Sequence, residues 1–555
     1  MNMKPIIYQI FTRLYTNRNT NRIPGGTLED NGCGKLAEID SKRLKQIKSL
    51  GITHVWYTGV IRHATQTNYT TYGIPRNHPA IVKGCAGSPY AITDYYDIDP
   101  DLAVDIPKRM KEFEQLVERT HRAGMKVIID FVPNHVARQY HSVRRPTGVV
   151  DLGQRDDKKK AFDPQNNFYY CPGEKFAPHL DLYHGEPIPY EEVPAKATGN
   201  DHFDACPGQN DWYETVKLNY GVDYCGGRTC HFSPTPATWR QMRDILLFWA
   251  TKGVDGFRCD MAEMVPAEFW GWATAQVKQK HPYIIFIGEV YNPAEYRNYL
   301  NSGFDYLYDK VGMYDTMRAV TCNQQSATAI TGAWQATDDI KDHMLYFLEN
   351  HDEQRLASDF FAGNGRRGVP ALVASVLMRT NPFMLYAGEE YGERGMDSEG
   401  FSGRDGRTTI FDYWSVDTLC RADAGKLTPE ERHLASLHAK VLNIANTEPA
   451  VAQGTFFDLM YANPASDHFY PFSNYAFLRR EGKDLLFVAV NFGGAPAQVS
   501  IRIPAHAFDF MKIAEKKVMA TDMLTGAKQS FVLAKDANVE MSIEAYGARV
   551  WKMTV

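Results

Sequence analysis

The chain has 555 residues, enough for two to four domains at roughly 100–200 residues each. Hydrophobic residues make up 44% and charged residues 23%, a balance that excludes global disorder. With 61 basic and 66 acidic residues the net charge is −5, so the basic excess of a general nucleic-acid binder is absent.

Ile6–Phe11 is the first predicted strand. Ser41–Leu50 is predicted helical, with Leu44, Ile47 and Leu50 on one face and Gly51 as its stop. Ile52–Tyr57 follows as a strand, then Pro107–Ala123 as a helix with Pro near its start and Gly124 past its end. Val127–Val132 is a short apolar strand suited to burial on both faces. From residue 134 to 235 the periodicity breaks, and Pro, Gly, Asp, Asn and Tyr dominate. About 100 residues without a helical pattern indicate an inserted domain rather than one loop. Alternation then resumes: helix Ala237–Lys252, strand Gly256–Cys259, helix Pro266–Lys280, strands Tyr283–Ile287, Phe304–Tyr308 and Met344–Leu348, helix Pro370–Met378, strand Phe383–Tyr386 and helix Pro429–Asn446. Eight strands with helices between most of them predict an α/β chain folded as a (β/α)8 TIM barrel. Past residue 454 the period becomes two, over Asn474–Arg479, Asp484–Asn491, Gln498–Ile503, Val539–Glu544 and Ala548–Met553. The expected division is a barrel at 1–135 and 236–450, an inserted domain at 136–235 and a C-terminal antiparallel β-sandwich at 451–555.

Active-site groups of such barrels sit at the C-terminal ends of the strands. Four strands here end in unusual polar residues: Asp130-Phe-Val-Pro-Asn-His135, Gly256-Phe-Arg-Cys-Asp-Met261, Gly288-Glu-Val-Tyr291 and Glu349-Asn-His-Asp352. One Asp or His after a strand is usually a turn or cap residue. Four such ends on one rim point instead to chemistry at an acetal carbon. A retaining glycosidase needs a carboxylate nucleophile and a carboxylic acid about 5–5.5 Å apart. Asp260, Glu289 and Asp352 are the candidate carboxyl groups. Arg258 lies two residues before Asp260, so strand alternation points both side chains the same way and lets the guanidinium hold Asp260 ionised. His135 and His351 supply hydrogen bonds for sugar hydroxyls.

The four motifs resemble, in order and approximate spacing, the signature regions of the α-amylase superfamily, glycoside hydrolase family 13. Gly51-Ile-Thr-His-Val-Trp56, Ser88-Pro-Tyr-Ala-Ile-Thr-Asp-Tyr-Tyr96 in the loop after strand two, and Gly388-Glu-Glu-Tyr-Gly392 add to the likeness, which covers essentially the whole chain. The resemblance implies that Asp260 is the nucleophile, Glu289 the acid and then base, and Asp352 the carboxylate that binds the 2- and 3-hydroxyls. It implies that Arg258, His135 and His351 line the same sugar subsite, with Tyr90 as its stacking platform. In typical α-amylases a Lys-His pair follows the nucleophile by three and four residues; here Glu263 and Met264 stand there, so the leaving-group side differs. Lys217-Leu-Asn219 looks like the short motif of the neopullulanase and cyclomaltodextrinase group.

The expected activity is therefore retaining hydrolysis of α-1,4-linked starch-type glucans or maltooligosaccharides. The alternative is a transglycosylase, or a cyclomaltodextrinase or neopullulanase acting on short α-glucans. A non-catalytic, transporter-associated relative would lose carboxylates or gain an anchor, and neither is seen. Calcium is the one candidate cofactor, through Asn134 as the family resemblance implies; no organic cofactor is implied. Asn17-x-Asn19-x-Asn21 is spaced like a calcium loop, but three neutral amides favour an ordinary Asn-rich turn. No apolar run reaches the roughly 18–20 residues of a membrane span. Pro5–Thr12 reads as a strand rather than a signal segment, so the expectation is a cytoplasmic protein, or an exported one whose leader was removed. Nine irregularly spaced cysteines give no disulfide framework; Cys225 and Cys230 are the nearest to a pair, and reduced thiols are expected.

Overall fold

Short runs rich in β-branched and aromatic residues form the eight parallel strands of a closed barrel in the computed structural model, which describes residues 4–555. They are β1 Ile6–Phe11, β2 His54–Thr58, β3 Lys126–Phe131, β4 Gly256–Cys259, β5 Ile285–Gly288, β6 Tyr306–Tyr308, β7 Met344–Phe347 and β8 Phe383–Tyr386. Each pairs with the next in chain order, and β8 closes on β1 through Ile6 opposite Phe383. Their residues are almost all buried, because side chains fill the barrel inside while helices cover it outside. The helix Arg109–Arg122 shows the outer arrangement: Phe113, Leu116, Val117 and Thr120 form its buried stripe. Gly51 ends the helix Ser41–Ser49 with φ 94°, and a Cβ there would lie 3.0 Å from the Leu442 backbone, so both conformation and space call for glycine.

Predicted element boundaries agree with the structure to within about two residues at most positions. One expectation is corrected. Within Ser88–Tyr96, read as loop, Ile92 begins a strand running to Ile98 that pairs antiparallel with Ile61–His63 through an irregular register. Its buried Asp94 and Asp97 obscured the apolar pattern of the sequence; these carboxylates are partnered by Arg62 and Arg109.

Between β3 and the helix Ala237–Thr251 the chain forms only short antiparallel pairs, including His135–Ala137 with Thr215–Lys217 and Tyr170–Cys171 with Ala195–Lys196. A separate small core of Cys171, Phe176, Tyr190, Ala195 and Ala205 supports this region. The C-terminal strands are β9 Thr455–Asp458, β10 Asn474–Glu481, β11 Asp484–Asn491, β12 Ala497–Arg502, β13 Lys516–Asp522, β14 Lys528–Leu533, β15 Asn538–Ile543 and β16 Gly547–Thr554. Six form an antiparallel sheet in the order β9-β10-β11-β16-β13-β14, and β12 pairs with β15. The sequence reading missed β9, β13 and β14; in β13 the lysine-rich outer face and buried Asp522 dilute the period-two signal. Buried Arg479 joins this domain to the barrel, donating to Met378 O at 2.6 Å and Ala450 O at 2.9 Å. Among the described residues no helix is long and apolar enough to cross a membrane.

Candidate active site

The barrel register places the first two carboxyl groups. Cys259 of β4 lies opposite Gly288 of β5, so Asp260 and Glu289 each follow one residue later on neighbouring strands. Their N–H groups extend the ladder, Asp260 N donating to Phe131 O at 2.9 Å and Glu289 N to Cys259 O at 3.1 Å. Arg258, fully buried, projects from β4 to the same side. Its Nη1 is 2.6 Å from Asp260 Oδ1, and its Nη2 is 2.9 Å from Glu289 Oε2 and 3.8 Å from Asp352 Oδ2. One guanidinium touching all three holds the carboxyl groups within about 10 Å of one another, the scale of a single sugar subsite.

Asp352 reaches this point from the loop after β7. Asn350 Oδ1 accepts the N–H groups of Asp352 and Glu353, both at 2.9 Å, and so sets the turn. The Asp352 side chain is 36% exposed, against 9% for Asp260 and 5% for Glu289, and it forms the open side of the cluster. Glu349 of the same motif points elsewhere: it binds Arg355 at 3.0 Å and the Leu356 N–H at 2.8 Å.

Both oxygens of Glu289 are held. Oε2 accepts the Met261 N–H at 2.8 Å, and Oε1 accepts the Tyr291 hydroxyl at 2.6 Å. Met261 makes the first contact by adopting φ 44°, a left-handed conformation that costs a non-glycine residue about 1–3 kcal/mol. Glu263, at the position of the family's lysine, turns away from the cluster. Its Oε2 accepts the N–H groups of Tyr291 at 3.1 Å and Asn292 at 3.0 Å. The polar group beside Glu289 on this side is therefore the Tyr291 hydroxyl, positioned through its backbone by Glu263.

Three carboxyl groups and one cation do not balance. Burial pushes the Asp260 carboxyl well above its usual range, with Glu289 and Asp352 adding to the rise and Arg258 opposing it. Asp352 is pushed up to about 7, first by burial and then by the charge of Glu289. A cluster that keeps a proton near neutral pH meets the need of acetal cleavage for an acid beside a carboxylate.

His351 lies beneath the cluster. Gln9 Nε2 donates to its Nδ1 at 2.8 Å, which leaves Nε2–H to face Asp352 Oδ2 at 3.2 Å and the Tyr90 hydroxyl. Burial, then Arg258, holds this imidazole well below the ordinary range, so it is neutral. Tyr90 is buried, stacks on His351 at 5.3 Å and points its hydroxyl to Asp130 Oδ1 at 3.4 Å. Burial raises Asp130 to about 6. His135 packs against Trp212 at 5.3 Å, and burial with the nearby Lys217 lowers it to about 3.

The expectation for Asn134 needs correction. Its Oδ1, which the family resemblance turns toward calcium, accepts the Lys217 ammonium at 2.5 Å, while Nδ2 donates to Gly199 O at 2.8 Å. The residues present do not fit a metal at that oxygen. In the Asn17–Asn21 turn, Asn17 and Asn19 side-chain oxygens accept the N–H groups of Asn19 and Asn21, at 3.1 and 2.8 Å. That is an ordinary Asx ladder. All nine cysteines are free thiols, with Cys225 and Cys230 exposed.

Residues that the sequence reading missed also shape the site. The Arg258 guanidinium is framed by the rings of Trp56 at 5.3 Å and Tyr308 at 5.4 Å, and Arg407 donates to the Asp352 carbonyl at 2.6 Å. Gln9, Trp56 and Tyr308 lie on barrel strands, so their signal was a polar or amphipathic side chain within an apolar run. Arg407 sits in an irregular loop and carries no such signal.

A closed parallel barrel whose C-terminal rim gathers carboxyl groups around one buried arginine has the layout of the barrel glycosidases. The chain belongs to the α-amylase family: residues 9–423 match the family model for the alpha-amylase catalytic domain. It is 26% identical over 408 residues to Alpha-amylase 3 of Dictyoglomus thermophilum, covering 70% of this chain and 64% of that protein. It is 21% identical over 403 residues to Neopullulanase 2 of Thermoactinomyces vulgaris, covering 70% of this chain and 57% of the relative. The chain thus spans less than two-thirds of the length of these curated relatives. The crystal structure of the α-amylase from Geobacillus thermoleovorans complexed with acarbose shares the fold, with a TM-score of 0.65 at 18% identity over 100% of this chain and 98% of that one.

Proposed function

We propose that the protein is a retaining glycoside hydrolase that cleaves α-1,4-glucosidic bonds in starch-type glucans or maltooligosaccharides. The supporting observation is the convergence of Asp260, Glu289 and Asp352 on the Arg258 guanidinium. Arg258 holds Asp260 Oδ1, so Oδ2 attacks the anomeric carbon as the bond to the leaving oxygen breaks. Glu289 passes its proton to that oxygen. The same carboxylate then takes a proton from water, whose oxygen displaces Asp260 and restores the original anomeric configuration. Asp352, on the open side, binds ring hydroxyls, with His351 as its neutral donor. His135 and Tyr90 are assigned to the same sugar subsite. The reading places this chemistry on a barrel at 1–135 and 236–450, flanked by an insert at 136–235 and a C-terminal domain at 451–555. Calcium at Asn134 is not part of it, because the Lys217 ammonium holds that oxygen.

A second reading keeps the chemistry and changes the acceptor or substrate: a transglycosylase, or a cyclomaltodextrinase or neopullulanase-type enzyme. Its support is the leaving-group side, where Glu263 serves the loop after β5 and Tyr291 replaces it beside Glu289. A product time course on amylose, pullulan, β-cyclodextrin and maltotriose, with NMR of the first-formed anomer, tests both. Initial α-anomer from amylose is expected. Initial β-anomer refutes retention, and faster opening of cyclodextrin or longer products from maltotriose selects the second reading.

A further inference from the structure

Lys217 ends the short strand Thr215–Lys217 and turns its side chain inward, where it is 2% exposed. Its Nζ is 2.5 Å from Asn134 Oδ1, 2.7 Å from Asp201 Oδ1 and 3.5 Å from the Met264 carbonyl. These oxygens come from three separate places. Asn134 follows β3, Asp201 lies in the insert, and Met264 ends the turn that begins after Asp260. An amide oxygen, a carboxylate oxygen and a backbone carbonyl are the ligand types that a hard cation gathers. Calcium takes six to eight such oxygens at about 2.3–2.6 Å. Here the point they share is filled by a nitrogen on the chain itself. A dication at that point would meet a buried like charge within bonding distance.

We propose that these three oxygens form a cation site whose resident cation is the Lys217 ammonium, which ties the insert to the turn behind Asp260 and takes the place of a calcium ion. A tethered ammonium cannot be extracted by chelator, so the domain junction should hold in the absence of divalent metal. The proposal stands independently of which glucan the enzyme cleaves.

The test is thermal unfolding of the full chain in EDTA and in calcium chloride, with metal content measured by inductively coupled plasma mass spectrometry. Wild type should carry well under one calcium per chain and melt at the same temperature in both buffers. Lys217→Ala should melt about 2–4 °C lower in EDTA, since removing the ammonium leaves Asn134 Oδ1 and Asp201 Oδ1 without their cation. It should regain part of that loss with calcium, which can then enter the vacated site. A wild-type Tm that falls in EDTA overturns the proposal, as does a Lys217→Ala protein as stable as wild type. Should Lys217→Ala fail to fold, Asn134→Asp decides. It adds a carboxylate to the ammonium but loses the Nδ2 donor to Gly199 O, so whatever its level its Tm should be the same in EDTA and in calcium. An Asn134→Asp Tm that is higher in calcium than in EDTA overturns the proposal.

Discussion

Replacing Arg258 with methionine removes the cation that Asp260, Glu289 and Asp352 share while keeping much of the side-chain volume. In the native protein that cation lies 2.6, 2.9 and 3.8 Å from the three carboxyl groups, in that order. At an effective dielectric near 20, a unit pair about 4 Å apart contributes about 4 kcal/mol. That energy favours the ionised form, so deleting the guanidinium raises the Asp260 carboxyl further, and at about 1.4 kcal/mol per tenfold it bounds the loss of reactive form at about 10³-fold. Burial already holds that group high, so Arg258→Met leaves a smaller ionised fraction of it at neutral pH. The nucleophile must be ionised, and kcat/KM at pH 7 should fall about 10²–10³-fold, with the acidic limb of the pH–rate profile moved upward. Stability should move less, because the freed carboxyl groups take up protons rather than remain as unpaired charges. The assay is kcat/KM for a 4-nitrophenyl maltooligoside across the pH range, beside a melting curve. Activity within tenfold of wild type at pH 7, with the acidic limb unmoved, would refute the assignment of Arg258 as the group that keeps Asp260 ionised.

Asp260→Asn should lower kcat by about 10⁴-fold or more with an unchanged near-UV circular dichroism spectrum; retained turnover would remove Asp260 as nucleophile. Tyr291→Phe deletes the 2.6 Å hydrogen bond to Glu289 Oε1 and should cost about tenfold or more in kcat/KM. The loss should be greatest for substrates with poor leaving groups, and equal losses for good and poor ones would argue against a part in proton donation. Asp352 is raised to about 7 in the folded protein, above its unfolded value near 4. Its contribution to stability is therefore fully present below about pH 4 and lost as pH rises through about 7. Wild-type Tm should fall between about pH 4 and 7 more steeply than that of Asp352→Asn, and parallel slopes would rule Asp352 out as the source.

Much of this protein is written in short-range pattern. The period of apolar residues, and glycines such as Gly51 past a helix end, located strands and helices because those signals act within a turn or two of the chain. The polar residues that close apolar strands marked Arg258, Asp260, Glu289 and Asp352 for the same reason, since a charge at a strand end is a local anomaly. What the carboxyl groups do to one another depended on closure of the barrel. The pairing of Cys259 with Gly288 sets Asp260 beside Glu289, and no spacing along the chain contains that register. Glu349 and Asp352 belong to one motif, yet one is bound to Arg355 and the other faces the cleft. Glu263 became a support for the loop of Tyr291, and Lys217 the cation between Asn134 and Asp201. Local order follows from neighbours in sequence, whereas charge pairing, burial and proton affinity are set by groups that meet only when distant segments fold together.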